Sequence, residues 1–120
     1  EDFDVRPADP LAVVANMSGG NQQKVLMGKW MLGGPSLLVL DDPTQAVDVG
    51  ARASVLRATR QAAVDGSAVI LCSSEVEDLA AVCDRVAILE DGRVVRELAQ
   101  PFTADDLLAA TFDATDGDAR

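Results

Sequence analysis

Aromatic side chains are scarce in this 120-residue chain, at 3% with no tyrosine, against 48% hydrophobic residues overall. Its interior must therefore be built from Val, Leu, Ile and Ala, and an aromatic-rich binding surface is excluded. Positive charge is short as well. Ten Lys and Arg stand against twenty Asp and Glu, a net charge of −10, which argues against nucleic acid because phosphate-backbone binding relies on clustered cations. No apolar run approaches the roughly 18 to 20 residues that a bilayer crossing needs, and the start has no basic-then-apolar leader. The composition predicts a soluble, cytoplasmic chain whose link to a membrane runs through a partner. Only two cysteines occur. Cys72 lies in an apolar run and Cys83 on a helical face, without the spacing of a metal pair, so both read as reduced core packing.

Periodicity is missing from residues 1–16, where Pro7 and Pro10 break any helix. The chain starts at Glu1 rather than Met, which reads as a piece of something longer, and EDFD and DATDGDAR read as solvated acidic ends. Ser18 can cap a helix that Gly33-Gly34-Pro35 stops. Leu37 to Leu40 and Ala68 to Cys72 are continuous apolar runs, the pattern of strands buried on both faces of a parallel sheet. Between them Gly50 to Ala63 reads as a helix with Ala51, Val55, Ala58, Thr59 and Ala62 on one side. Val76, Leu79, Ala80 and Cys83 mark a short helix. Val86 to Leu89 and Val94 to Leu98 flank Asp91-Gly92, a two-residue hairpin signal, and a last helix covers Ala104 to Ala110 behind Thr103.

Three constellations could carry chemistry. Ser18-Gly19-Gly20 opens a helix, where free amides and the positive dipole end favour an anion and glycines allow close approach; alone, an ordinary capped helix after a loop is the simpler reading. Asp41-Asp42-Pro43-Thr44 follows the first strand, at the strand end where open α/β sheets hold ligands, and an acid there suits Mg²⁺. Ser73-Ser74-Glu75 follows the second strand, where a plain strand-to-helix turn is the simpler reading.

Taken together, SGGNQQKV, LLVLDDPT, AVDVGAR and VILCSSEVED, in this order and spacing, resemble the C-terminal half of an ATP-binding-cassette (ABC) ATPase domain. More narrowly they resemble the second of two fused cassettes in carbohydrate importers of the ribose, xylose and galactose type. The resemblance covers about residues 16–98. It implies an α/β fold, a partial P-loop NTPase with a mainly parallel sheet flanked by helices and an antiparallel edge hairpin, the phosphate-loop half missing. Residues 1–16 are then an irregular lead-in, 17–110 the C-terminal part of the ATPase domain, and 111–120 an acidic, disordered tail.

The resemblance also assigns roles. Ser18, Gly19, Gly20 and Gln22 become the signature motif, with Met17 where the family usually has Leu; Asp41 is the Walker B acid on Mg²⁺; Asp42 replaces the catalytic Glu. Gln45 to Asp48 becomes the D-loop, with Asp48 toward nucleotide, and Ser74 stands where most cassettes have the switch His, in a chain without histidine. In such cassettes the signature helix of one subunit closes over ATP held by the phosphate loop of another. This chain shows no G-x-x-x-x-G-K-[ST] run, its one Gly-Lys being Gly28-Lys29 with Gln23 in place of the first Gly. The implied cofactors, ATP and Mg²⁺, therefore belong to a composite site, and the implied partners are a second cassette, membrane permease subunits and, indirectly, a sugar-binding protein. The chain alone is expected to be inactive, and unpaired apolar strand edges predict a homodimer.

Two other readings compete. A phosphoacceptor receiver domain also places acids after one strand and a hydroxyl after a later one, but needs a Lys beyond its last active strand, and the only lysines, Lys24 and Lys29, precede Asp41. A degenerate cassette acting as a non-catalytic interaction module is the second.

Overall fold

A helix begins where the irregular lead-in meets Ser18. The Ser18 hydroxyl oxygen accepts the Asn21 amide at 3.4 Å, and α1 runs Gly19–Met31 before Gly34, at φ 57°, turns the chain away. The computed structural model describes residues 3–116, which divide into two units between Cys72 and Ser73.

In the first unit α1 is followed by β1 (Leu37–Asp41), α2 (Val49–Val64) and β2 (Ala68–Cys72). The strands pair in parallel, Leu37 beside Ala68 through Asp41 beside Cys72. Helices fall on one face of this pair, so Leu38 and Leu40 join Met27, Val55 and Ala62 in the core, with Phe3, Met31, Ala58, Val69 and Leu71 packed against them. Burying a side chain such as Val55 contributes about 1.5–3 kcal/mol, so this cluster is what holds the strand ends in place.

Burial on both strand faces is not what the structure has. Successive side chains alternate across a strand, and Leu37, Val39 and Ile70, on the face opposite the helices, remain 52%, 58% and 52% exposed. The lead-in also differs from a solvated tail. Phe3 packs on the core, its ring 3.5 Å from where a Cβ of Gly28 would stand, an ordinary contact distance. Glu1 and Asp2 lie outside the described residues.

The second unit contains α3 (Val76–Val82), β3 (Arg85–Glu90), β4 (Arg93–Ala99) and α4 (Ala104–Asp116). Asp91 and Gly92, at φ 47° and 76°, make the two-residue turn with both centres left-handed that matches strand twist. The hairpin is antiparallel, with a register shift at Ile88/Leu89, and it forms a sheet of its own instead of an edge of the β1–β2 pair. Its two strands satisfy each other, and α4 packs on α3 and on both strands with Leu107 and Ala110 buried.

Two expectations shift here. In α3 the most buried side chain is Asp78, 1% exposed, rather than the apolar set Val76, Leu79, Ala80 and Cys83; it sits in the first turn, where the helix dipole favours a carboxylate. The predicted tail 111–120 is helical as far as Asp116. The Leu107 and Ala110 spacing carries the helix on, Thr111 bonds back to the Leu107 carbonyl at 2.9 Å, and Arg96 pairs with Asp113 at 3.2 Å. Residues 117–120 lie outside the described residues. Thr103 caps α4 as read: its hydroxyl oxygen accepts the Asp106 amide at 3.2 Å while the Asp106 carboxylate accepts the Thr103 amide at 2.7 Å, a reciprocal cap.

Candidate functional site

Two helix N-termini meet in the first unit, and a glycine makes the meeting possible. A Cβ on Gly20 would lie 2.8 Å from the Ala51 Cβ and 3.1 Å from Asp48 Oδ2. The start of α1 can approach the start of α2 this closely only with no side chain between. Helix geometry leaves the first amides of each without an intrahelical acceptor, so donors are concentrated here. Ser18 and Gly19 are exposed, with Gly20 buried beneath them.

Asp48 supplies the cap of α2. Its Oδ1 accepts the Ala51 amide at 2.9 Å. That bond holds its carboxyl below the ordinary carboxylate range, against a smaller opposing effect of desolvation and with help from the Gly50 amide and the Lys24 charge. A depressed native pKa contributes stability that is present above the unfolded value of about 3.9 and is lost as pH falls through the lower native value. Replacement by Asn keeps a capping oxygen without the charge. Asp48→Asn is therefore expected to be less stable than the parent at pH 7, the gap closing in acid; urea melts across pH check this, and a pH-independent gap would contradict it.

Asp41 and Asp42 stand at the end of β1, ahead of the segment that leads into Asp48. Asp41 ends β1 on the open face of the strand pair, exposed, beside Cys72. Asp42 is half-buried at φ 40°, its amide donating to the Cys72 carbonyl at 2.9 Å and its carbonyl accepting the Gln45 amide at 3.1 Å. That left-handed residue stops the ladder and turns the chain through buried Pro43 and Thr44 into the Gln45 to Asp48 segment. Neighbouring acids thus receive different settings, one open to water and one held in a tight turn. Among the described residues no group of three or more His, Cys, Asp or Glu could cage a metal.

Gln22 does not point at the exposed rim: its Nε2 donates to the Met17 carbonyl at 2.9 Å. Asn21, not among the residues read as the site, is the one that touches Ser18, through Nδ2 to Oγ at 3.0 Å. Spacing was the available signal, since residues i and i+3 at a helix start are the capping pair. Ser74 lies in the second unit, exposed, two residues beyond Cys72, where the preceding Ser73 hydroxyl oxygen accepts the Glu75 amide at 3.0 Å.

The sequence has clear relatives. It is 40% identical over 106 residues to an uncharacterized ABC transporter ATP-binding protein, YphE, of Escherichia coli, covering 88% of this chain and 21% of that protein. It is 42% identical over 98 residues to the fructose import ATP-binding protein FruK of Bifidobacterium longum (82% and 19%). It is 40% identical over 97 residues to the ribose import ATP-binding protein RbsA 1 of Streptomyces coelicolor (81% and 19%). The chain spans about a fifth of the length of these curated relatives. No family model matches it. Its fold is similar to the ADP conformation of MJ1267, an ATP-binding cassette of an ABC transporter, with TM-score 0.70 at 16% identity, over 86% of this chain and 41% of that one.

Proposed function

We propose, from the homology of this chain to a segment of the sugar-import ABC ATP-binding proteins, that it contributes the signature side of a composite ATP site in a carbohydrate importer. The observation that carries the reading is the exposed Ser18-Gly19 start of α1, wedged by Gly20 onto the capped start of α2. Amides and a hydroxyl gathered at a helix N-terminus suit a triphosphate anion. Bound MgATP supplies the phosphoanhydride and the metal that neutralises it.

On this reading Ser18, Gly19 and the neighbouring amides receive the γ-phosphate end of a nucleotide whose other end is gripped by a second cassette. Asp41 fits Mg²⁺ as a single exposed carboxylate, since that ion keeps most of its waters and takes the rest of its ligands from phosphate. Asp42 stands where a water-orienting acid would, Ser74 stands at the switch position, and Asp48 caps α2 at the end of the D-loop. The partners are a second cassette and permease subunits at the inner face of the membrane; among the described residues no helix is long and apolar enough to cross it.

The chain has no phosphate-loop run, and that backbone cradle with its Lys holds the β- and γ-phosphates in P-loop proteins. Titrating MgATP into the purified chain is expected to give neither submillimolar binding nor turnover. Submillimolar affinity with turnover would contradict the composite reading.

A second reading, a non-catalytic interaction module, is favoured by Asp42. Its carboxylate is one methylene shorter than Glu and its backbone is fixed in a left-handed turn, so the chain cannot simply slide the acid forward. A misplacement of about 1 Å can cost ~10²-fold in rate. Nucleotide trapped at the joined site without hydrolysis there would favour this reading.

A further inference from the structure

We propose that Asn21 is a positioning residue that fixes the polarity of the Ser18 hydroxyl, forcing it to donate outward to an anion. The inference rests on the composite-site reading and names how one side chain of that site is set.

Hydrogen-bonding capacity sets the direction of this hydroxyl. A serine hydroxyl has two lone pairs and one proton. Ser18 Oγ accepts from the Asn21 amide at 3.4 Å and from Asn21 Nδ2 at 3.0 Å, which occupies both lone pairs. What is left is the O–H. A hydroxyl with free lone pairs would serve as well for a cation or a donor; this one serves an acceptor.

Asn21 is itself held the right way round. Its Oδ1 accepts the backbone amide of Arg6 at 2.9 Å. A backbone N–H only donates, so the side-chain atom facing it must be the carbonyl oxygen, and the NH₂ is thereby turned to Ser18. The lead-in that provides this amide is anchored along α1, with Phe3 packed on the core and Lys24 Nζ donating to the Asp4 carbonyl at 3.3 Å. A relay runs from Arg6 through Asn21 to Ser18. The lead-in, read from sequence as structureless, thus acts on the rim of the site.

The test is a double-mutant cycle on MgATP binding by the chain mixed with a complete cassette that has its own phosphate loop. Ser18→Ala removes a hydrogen bond to a charged acceptor and is expected to weaken nucleotide retention at the joined site roughly tenfold. Asn21→Ala is expected to weaken it by a similar factor while thermal unfolding, followed by Trp30 fluorescence, stays close to that of the parent. The double variant is expected to be no weaker than Ser18→Ala alone, because Asn21 acts only through that hydroxyl; a merely structural role would add a further loss. No effect of Ser18→Ala would overturn the composite-site reading itself. A Ser18→Ala loss accompanied by an additive Asn21→Ala loss, or by none, overturns the Asn21 assignment alone.

Discussion

Gly20→Ala is expected to destabilise the first unit by about 1–2 kcal/mol, although helix propensity alone predicts the opposite sign. Ala is better than Gly inside a helix by up to ~1 kcal/mol. Here the new methyl would lie 2.8 Å from the Ala51 Cβ, a rigid atom directly on another helix, and 3.1 Å from the Asp48 carboxylate. Overpacking of this kind costs about 1–3 kcal/mol, so the contact outweighs the propensity gain. Gly19→Ala is the matched control, since its methyl would meet only the Ala46 carbonyl at 3.9 Å. Urea unfolding followed by Trp30, which lies on α1, separates the two. Equal or greater stability for Gly20→Ala would mean that α1 and α2 do not meet as described. The loss should extend to function, because the same shift lifts the Ser18-Gly19 edge away from Asp48.

Ser18→Asp is expected to move stability and nucleotide binding in opposite directions. Aspartate caps a helix as well as serine, and a negative charge at a helix N-terminus is favourable by about 0.3–1 kcal/mol. The variant should fold at least as well as the parent. Against a triphosphate the same carboxylate is a like charge: at about 4 Å with an effective dielectric of 20 the repulsion is of the order of 4 kcal/mol, enough to cost nucleotide retention at the joined site roughly 100-fold or more. A binding curve with a complete cassette, read beside a melt, measures both. If retention is unchanged while stability rises, Ser18 faces no phosphate.

Much of this was legible in the residues. Ser18, Asp48 and Thr103 cap helices from their own side chains, and Asp91-Gly92 encodes a turn that few other pairs adopt, so these local boundaries follow from neighbouring residues. The second strand lies at Ala68–Cys72 as its composition implied. What escaped depended on partners distant in sequence. An unbroken apolar run states that a strand is apolar, not how many faces are covered, and Leu37 and Val39 face away from the helices. Phe3 stood in an acidic run whose charges hid its anchoring to the core beside Gly28. The hairpin signal at Asp91-Gly92 gave the turn and not the sheet it joins.

The site was legible in part. Glycines after a serine indicate close approach, but not by what; here Gly20 is explained by Ala51, a neighbour inside the fold, and Gly19 remains at the surface. The resemblance assigned Gln22 to the signature motif, yet its side chain turns back on the Met17 carbonyl. Asn21 gains its importance from Arg6, fifteen positions earlier, a pairing that no local pattern announces.

The most direct measurement uses an ATP analogue photoreactive at its γ-phosphate, irradiated with the chain alone and with the chain mixed with a complete cassette, followed by mapping of the attachment site. The account predicts no labelling of the isolated chain and labelling within the first turn of α1, at Ser18 to Asn21, once the second cassette is present. Labelling of the complete cassette with none on that turn, or equal labelling of the chain by itself, would contradict it.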